Sequence, residues 1–302
     1  HPRYPYCLHD WAQWPQNIIL PEVGTYLEHQ KMQSIGQEPF PLHKYLHHGL
    51  SSQAMLFNLV GPLLTRNDLA PLQVAFGAAD IPWPTGTVHL RLEESDRKVF
   101  NEDTGQPTSI DLTLCDESQE HSAALFVEAK LTEAAFGGCS VFAAGDCAGH
   151  NPLTAKGGLA TCYLHHIGRT YWTNALEQGF AGSPLAKGPI CPFAAYYQFF
   201  RESLFALAKG GHFVLLYDER SPVFVKKGDN GTSPNGLWTF LLAQAPPAMA
   251  EHLHAVTIQQ VVAAIEASSE HQEWIGVFKE KYGLVANCSS ASFQGKDGEN
   301  GI

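Results

Sequence analysis

SIDLTLCDESQEHSAALFVEAKLTE, residues 109–133, decides how the chain folds. Two apolar runs flank a polar turn, DESQEHS, and runs of strand length joined this way read as a hairpin. Each run carries charge where a buried strand would carry none: Asp111 in the first, Glu128 and Lys130 in the second. Side chains two apart in a strand share a face. Ile110, Leu112 and Leu114 are therefore expected on the core face of the first strand, with Asp111 opposite. Val127, Ala129 and Leu131 take the core face of the second strand, and Glu128 and Lys130 point the other way. A tight hairpin would bring Asp111 beside Glu128, placing two carboxylates and an ammonium on one face at a sheet end.

Such a cluster suits a hard cation. Mg²⁺ takes one or two carboxylates, keeps several waters and shares phosphate oxygens. Asp111, Glu128 and the Ala129 carbonyl are the candidate ligands, with Mn²⁺ an acceptable substitute. Lys130 would orient or activate an attacking water, or offset charge building on a phosphate. The plain alternative is a surface Glu–Lys pair worth ~0.5 kcal/mol. An Asp followed by Glu-x-Lys is common by chance, so the pattern alone favours that alternative.

The flanking chain supplies context. HKYLHHGLSSQAMLFNLVGPLLTR (43–66) has apolar residues at helical spacing, with Ser51 or Ser52 as N-cap and Pro62 expected to end or kink the helix. Residues 69–77 suggest a second short helix, and 87–95 alternate as a strand. A helix is expected around 161–180 and another over 192–211, closed by Gly210 and Gly211. HFVLLYDE (212–219) is the next strand, and 257–283 gives one or two C-terminal helices. Residues 1–40 read as an irregular arm with one short helix at most, and the Ser/Gly-rich tail after 287 as disordered. The order is helix, three strands, a Cys-rich segment over about 134–192, helix, strand. It implies an α/β fold, a mixed central sheet flanked by helices, in one domain spanning 1–302 with its core at about 50–220.

Composition sets the outer limits. The chain is 302 residues long, 44% hydrophobic and 16% charged, enough to build a sizeable core. No apolar run reaches the ~18 residues of a membrane span. No secretion signal is visible, so a cytoplasmic location with reduced thiols is expected. The net charge of −11 argues against a broadly basic nucleic-acid-binding face but not against a local basic groove. Its candidate rim residues are Lys156, Arg169, Arg201, Lys226 and Lys227.

An Asp in a strand after a Gly-x-Pro turn (Gly105, Pro107), followed by Glu128-Ala129-Lys130 at the end of an apolar strand, resembles the PD-(D/E)XK nuclease superfamily. Ile110 stands where that family's name has Pro. SSQAMLFNLVGPL, FVEAKLTE and YYQFFRESLFAL together are similar to a group of bacterial restriction-endonuclease-like proteins within it. The resemblance covers about residues 50–220, outside the ends and the Cys-rich insertion. It implies a restriction-endonuclease-like core and a Mg²⁺-dependent DNA endonuclease, with Asp111, Glu128 and Lys130 catalytic and Asp111 and Glu128 on the metal. It also implies that the helix after the Glu-x-Lys strand donates to the site. Gln198 and Arg201, one turn apart, fit that role, Arg201 as a bidentate phosphate ligand. An amphipathic helix with its polar face in water accounts for them equally well. Gln53 would hold the metal-bound water where relatives use an acid, or would simply make a contact at its helix N-terminus. Glu133, beyond the strand, is expected in solvent.

Other patterns carry less. Cys139, Cys147, Cys162 and Cys191 share one window with His150, His165 and His166. Some nucleases of the superfamily hold an iron–sulfur cluster, and structural zinc is the other option, but the spacing matches no familiar pattern. Free buried thiols remain the simplest reading. His43 and His47, four apart, are explained by chance in a chain with fifteen histidines. KGDNG (227–231) and GKDGENG (295–301) read as turn and tail. The competing functions are a non-catalytic nucleic-acid-binding module with a Cys-bound structural metal, and a thiol-dependent hydrolase. DNA is the expected partner. The oligomeric state, a homodimer included, stays open.

Overall fold

The computed structural model describes residues 4–34, 39–116, 124–226 and 235–285. Among them lies one five-stranded sheet in sequential order: β1 (Val88–Ser95), β2 (Ser109–Asp116), β3 (Leu125–Lys130), β4 (His212–Tyr217) and β5 (Leu253–Thr257). β1, β2 and β3 pair antiparallel, and β3–β4 and β4–β5 pair parallel. Antiparallel neighbours are joined by short turns, whereas parallel ones need long crossovers. Residues 131–211 provide one crossover and 218–252 the other.

Both faces of the sheet are covered, so β3 is buried along its whole length. On one face pack α1 (Pro21–Gln33), α2 (Ser52–Thr65), α3 (Ala70–Ala78), α11 (Ile258–Ala267) and α12 (Gln272–Lys281), around Leu112, Leu114, Val127 and Ala129. On the other face Phe126, Phe213 and Leu215 meet the long helix α8 (Pro192–Ala208). The chain between β3 and α8 winds through short helices α4 (Ser140–Ala143), α5 (Tyr163–His166), α6 (Tyr171–Glu177) and α7 (Pro184–Lys187). It contributes Phe136, Tyr171, Trp172 and Phe180 to this second core and is integral to it. Helices α9 (Leu237–Gln244) and α10 (Pro247–Ala250) lie in the second crossover.

Several expectations change. The surface setting for Glu128 and Lys130 is excluded, since each is only 4% exposed. Ile110 is buried, but in the second core with Phe126, whereas Leu112 and Leu114 belong to the first. The alternation breaks at Asp111, beyond the end of the β2–β3 ladder at Leu112↔Val127. Ser51 caps α2, accepting from Ala54 N, and Pro62 falls in the last turn without ending the helix. The helix expected over 161–180 is two short ones separated by Gly168, whose φ of +88° breaks the helical path. The arm before residue 40 contains a thirteen-residue helix. β5 was not anticipated, because HLHAVT mixes two histidines into its apolar run. The hairpin turn at 117–123, Lys227 and the tail lie outside the described residues.

Asn58 ties the N-terminal arm and α12 to α2. Its amide oxygen accepts from Ile19 N (2.7 Å), and its nitrogen donates to Asn17 O and to the Tyr282 hydroxyl, both at 3.0 Å. Asn58→Ala strands these buried groups, each costing ~1–3 kcal/mol. We expect urea unfolding to show a loss of about 2–4 kcal/mol.

At the start of β4 and β5, His254 contacts His212 (Nε2 to Nδ1, 3.0 Å), and the His212 ring also stacks on His252. Burial, aided by the neighbouring imidazoles, lowers the His254 pKa to about 4. The unfolded chain then binds the extra proton between about pH 6.5 and pH 4, so stability drains as pH falls through that window. Unfolding titrations from pH 7 to pH 4 should show a shallower loss in His254→Gln than in the native chain.

Candidate active site

Three strands present a carboxylate at the same level. In the β1–β2 register, Glu93 falls between Leu92↔Leu112 and Glu94↔Ile110, opposite Asp111. In the β2–β3 register, the step beyond Leu112↔Val127 sets Asp111 opposite Glu128. There the backbone ladder stops and a side chain replaces it: Asp111 Oδ2 accepts from Ala129 N at 2.9 Å. Glu93 has a left-handed backbone, φ +55°, unusual for a non-glycine residue.

Glu128 and Lys130 meet α8. Lys130 Nζ donates to Glu128 Oε1 (2.6 Å) and to Gln198 Oε1 (2.9 Å), and Gln198 Nε2 donates to the same Glu128 oxygen (2.6 Å). The three side chains close a ring of hydrogen bonds. It leaves one oxygen of each β-strand carboxylate, Asp111 Oδ1 and Glu128 Oε2, without a protein hydrogen bond among the described residues. Two further groups lie buried and unpaired: Glu202 Oε2 and Arg201 Nε.

These residues line a cleft of about 700 Å³ with Gln53, Glu93, Lys44 and Glu133. Gln106 also lines the two adjoining cavities, of about 780 and 520 Å³. Gln198 and Arg201 reach the cleft together from α8. Gln53 also faces it, but its amide is committed to the protein: it accepts from His43 N (2.8 Å) and donates to Pro41 O (2.8 Å) and to Glu93. These bonds anchor Glu93 and the chain around Pro41 and His43 at the start of α2, the contact at a helix N-terminus expected as the alternative. Glu133 is not simply solvated. It folds back to accept from Leu131 N (2.7 Å) and Thr132 N (3.0 Å).

Of the expected basic rim, Arg201 alone among the described residues lines this cleft, and Lys226 does not. Arg169 lines the adjoining cavity but is consumed by Asp103 and backbone carbonyls of 101–104, and Lys156 lines a separate cavity. Lys44 and, in the neighbouring cavity, Arg97 supply positive charge in their place. His43 lines the cleft and His47 does not, and the pair lies in a turn rather than a helix.

The electrostatics follow from burial and crowding. Burial pushes the Asp111 carboxyl well above the usual range, and the Glu128 and Glu93 charges push it further. Burial does the same to Glu202, with Glu128 adding to it. Glu93 is pushed up to about 7, chiefly by burial, against the hydrogen bonds from Gln53 and Ser109. Burial works against the Lys130 charge, but the surrounding carboxylates, Glu128 first, outweigh it and hold its pKa above the ordinary lysine value. Lys130 is therefore a fixed ammonium.

Glu93 and Glu202 were missed in the sequence. Glu202 is four residues past Gln198 on α8, on the same helix face, so helical spacing alone would have found it. Nothing in the primary pattern singles out Glu93, which stands among other charged residues at the end of β1 and meets Asp111 through the β1–β2 register.

The expected cysteines converge. Cys139, Cys147, Cys162 and Cys191 line one small apolar pocket beside the N-terminus of α8. Burial pushes the Cys191 thiol up to about 12, and it also raises that of Cys139. Among the described residues, no three His, Cys, Asp or Glu side chains stand in position to share a metal ion.

A mixed sheet covered by helices, with a carboxylate–lysine cleft at one end, defines an α/β protein. Residues 1–283 match the model of the family described as Restriction Endonuclease associating with ARP, and the chain belongs to that family. No curated protein and no solved structure matches it. No helix among the described residues is long and apolar enough to cross a membrane.

Glu93→Gln tests the crowding. The folded state holds a proton on Glu93 that the unfolded chain releases between about pH 4.5 and pH 7, so this group erodes stability as pH rises through that window. The amide can still accept from Gln53 and donate to Ser109. Thermal unfolding should find the variant more stable at pH 8, by about 1–2 kcal/mol, and unchanged at pH 4.

Proposed function

We propose that the protein is a Mg²⁺-dependent deoxyribonuclease that hydrolyses DNA phosphodiester bonds in the cleft between β2, β3 and α8. The observation that carries this reading is the convergence of Asp111, Glu128, Lys130 and Gln198 on one cleft, in a chain of a restriction endonuclease family.

The donor set fits the ion. Asp111 and Glu128 each keep one oxygen free of protein hydrogen bonds, and two carboxylates completed by waters and substrate phosphate is a usual Mg²⁺ arrangement. When bound, Mg²⁺ supplies Lewis acidity toward a phosphoryl oxygen and lowers the pKa of a water.

The chain's own groups do the rest. Lys130, a fixed ammonium, stands where it can offset charge growing on the phosphate. It is not a proton acceptor, since its surroundings hold it charged. Gln198 locks Glu128 and Lys130 in one geometry by bonding both. Arg201, with Nε unpaired, offers a guanidinium donor to a phosphate oxygen. Lys44 and Arg97 give an acidic protein a local positive path for the strand backbone.

Cleavage of supercoiled and linear DNA with Mg²⁺, against an EDTA control, tests the reading. Glu128→Gln and Lys130→Gln preserve shape and should each lower the rate by at least ~10²-fold with an unchanged circular dichroism spectrum. Full activity in both variants would refute it. Metal-independent DNA binding without cleavage would favour the non-catalytic module instead.

A further inference from the structure

The cavity of about 520 Å³ beside the cleft shares Gln106, Gln198 and Arg201 with it, so the two spaces meet at those side chains. Small-molecule sites span roughly 300–1,000 Å³, and a single nucleoside is a guest of that class.

A break in α8 shapes this cavity. Tyr196 is non-helical (φ −128°, ψ 36°). In an unbroken helix Gln198 N pairs with Ala194 O. Here Gln198 N donates to Gly137 O (3.1 Å), and Ala194 O accepts from Cys139 N (3.3 Å). Residues 137–139 are thus inserted into the helix ladder, which is an ordinary cause of a kink. Gly138 permits the approach, since a Cβ there would stand 2.7 Å from Ala194 O. Just past the break, Tyr197 lies on the cavity wall and Gln198 on the boundary with the cleft.

The lining divides into spent and unspent groups. The Tyr171 ring meets that of Tyr197 edge-on (5.5 Å, 80°), and the Tyr171 hydroxyl donates to Glu102. Arg169 is bound to Asp103 and to the Thr104 carbonyl. Gln106, exposed in the turn between β1 and β2, makes no hydrogen bond among the described residues. Arg201 keeps its buried Nε unpaired, and its guanidinium carbon stands 5.1 Å from the centre of the Tyr197 ring. Ile167, exposed at the cavity, adds apolar surface. Aromatic and apolar side chains for the faces of a base, with a free amide for its edge, are what enzymes that extrude a nucleotide use to hold it.

We propose that this cavity receives one unpaired base adjoining the scissile phosphate, with Tyr197 and Ile167 against its faces and Gln106 bonding its edge. Arg201, on the boundary, holds the phosphate while the attached base enters. A base stacked inside a duplex does not reach such a pocket without being extruded. The preferred DNA therefore carries an unstacked nucleotide, such as a bulge, at the cleavage position. The placement of the phosphate rests on the nuclease reading, but the test reads binding.

Fluorescence anisotropy would compare three labelled duplexes on the full-length Lys130→Gln chain in Mg²⁺, where cleavage is slowed. One is fully paired, one carries a single bulged base, and one carries an abasic bulge of the same flexibility. We expect the bulged base to bind roughly tenfold or more tightly than either control, the worth of one base–aromatic stack. Adding Gln106→Ala or Tyr197→Leu should bring that ratio towards one. Gln106 is exposed and unbonded, so its variant keeps the test decisive where Tyr197→Leu misfolds. Equal affinity for the three probes, binding to none of them, or an advantage that survives both substitutions would overturn the proposal. Metal-dependent cleavage by the native chain with no preference among the probes would leave the nuclease reading standing without it. Preference for the bulged base with no cleavage would uphold the cavity and remove the nuclease reading.

Discussion

A buried ammonium organises the site. Removing a lysine from water costs several kcal/mol unless its charge is met at close range, and Lys130 is only 4% exposed. Glu128 and Gln198 meet it directly. Around that one ammonium, however, stand Asp111, Glu93 and Glu202 as well, and among the described lining residues Lys44 and Arg201 are the further Lys and Arg charges. The pocket is short of positive charge. Asp111 and Glu202 respond by holding their protons far above the usual carboxylate range. A divalent cation would remove the same imbalance without protonation. The arrangement is poor as a stabilising device, because a well-packed apolar core of equal volume would serve better. It makes sense as a binding site.

The sheet creates this imbalance through its geometry. The β2–β3 ladder stops after Leu112↔Val127, and the strands part as they enter the cleft. Asp111 fills the resulting gap by taking the Ala129 N–H, so one carboxylate oxygen is structural and the other is left open. On the far side, β3 runs parallel with β4 through Lys130↔Tyr217, which keeps Glu128 and Lys130 rigid. The helix that closes the ring, α8, is fixed at one end by the cysteine pocket and along its length by Phe199, Phe200 and Phe205 in the second core. Rigid supports on both sides let a small group of charges hold one geometry.

Much of this was legible from period-two and helical spacing. β1, β2, β3, β4, α2, α3 and α8 lie near their expected ranges, because each combines a clear apolar pattern with turn or cap residues at its ends. Glu128 and Lys130 were correctly placed on one face by alternation, and Gln198 and Arg201 together by helical spacing. What stayed hidden has physical causes. β5 is short, and its histidines blur the alternation. The 161–180 segment is broken by a glycine whose left-handed backbone cannot be read from hydrophobicity. Glu93 reaches the cleft through the β1–β2 register that sets it opposite Asp111, and its bond with Gln53 joins residues forty apart in sequence. The convergence of four cysteines is a tertiary fact, invisible in spacings that match no known motif.

Diffraction at the manganese edge from crystals grown with Mn²⁺ addresses the charge imbalance most directly. An anomalous peak within bonding distance of Asp111 Oδ1 and Glu128 Oε2, absent in crystals of Asp111→Asn, is the predicted result. A map with no peak between those two carboxylates, under conditions where Mn²⁺ binds elsewhere on the protein, would contradict the account.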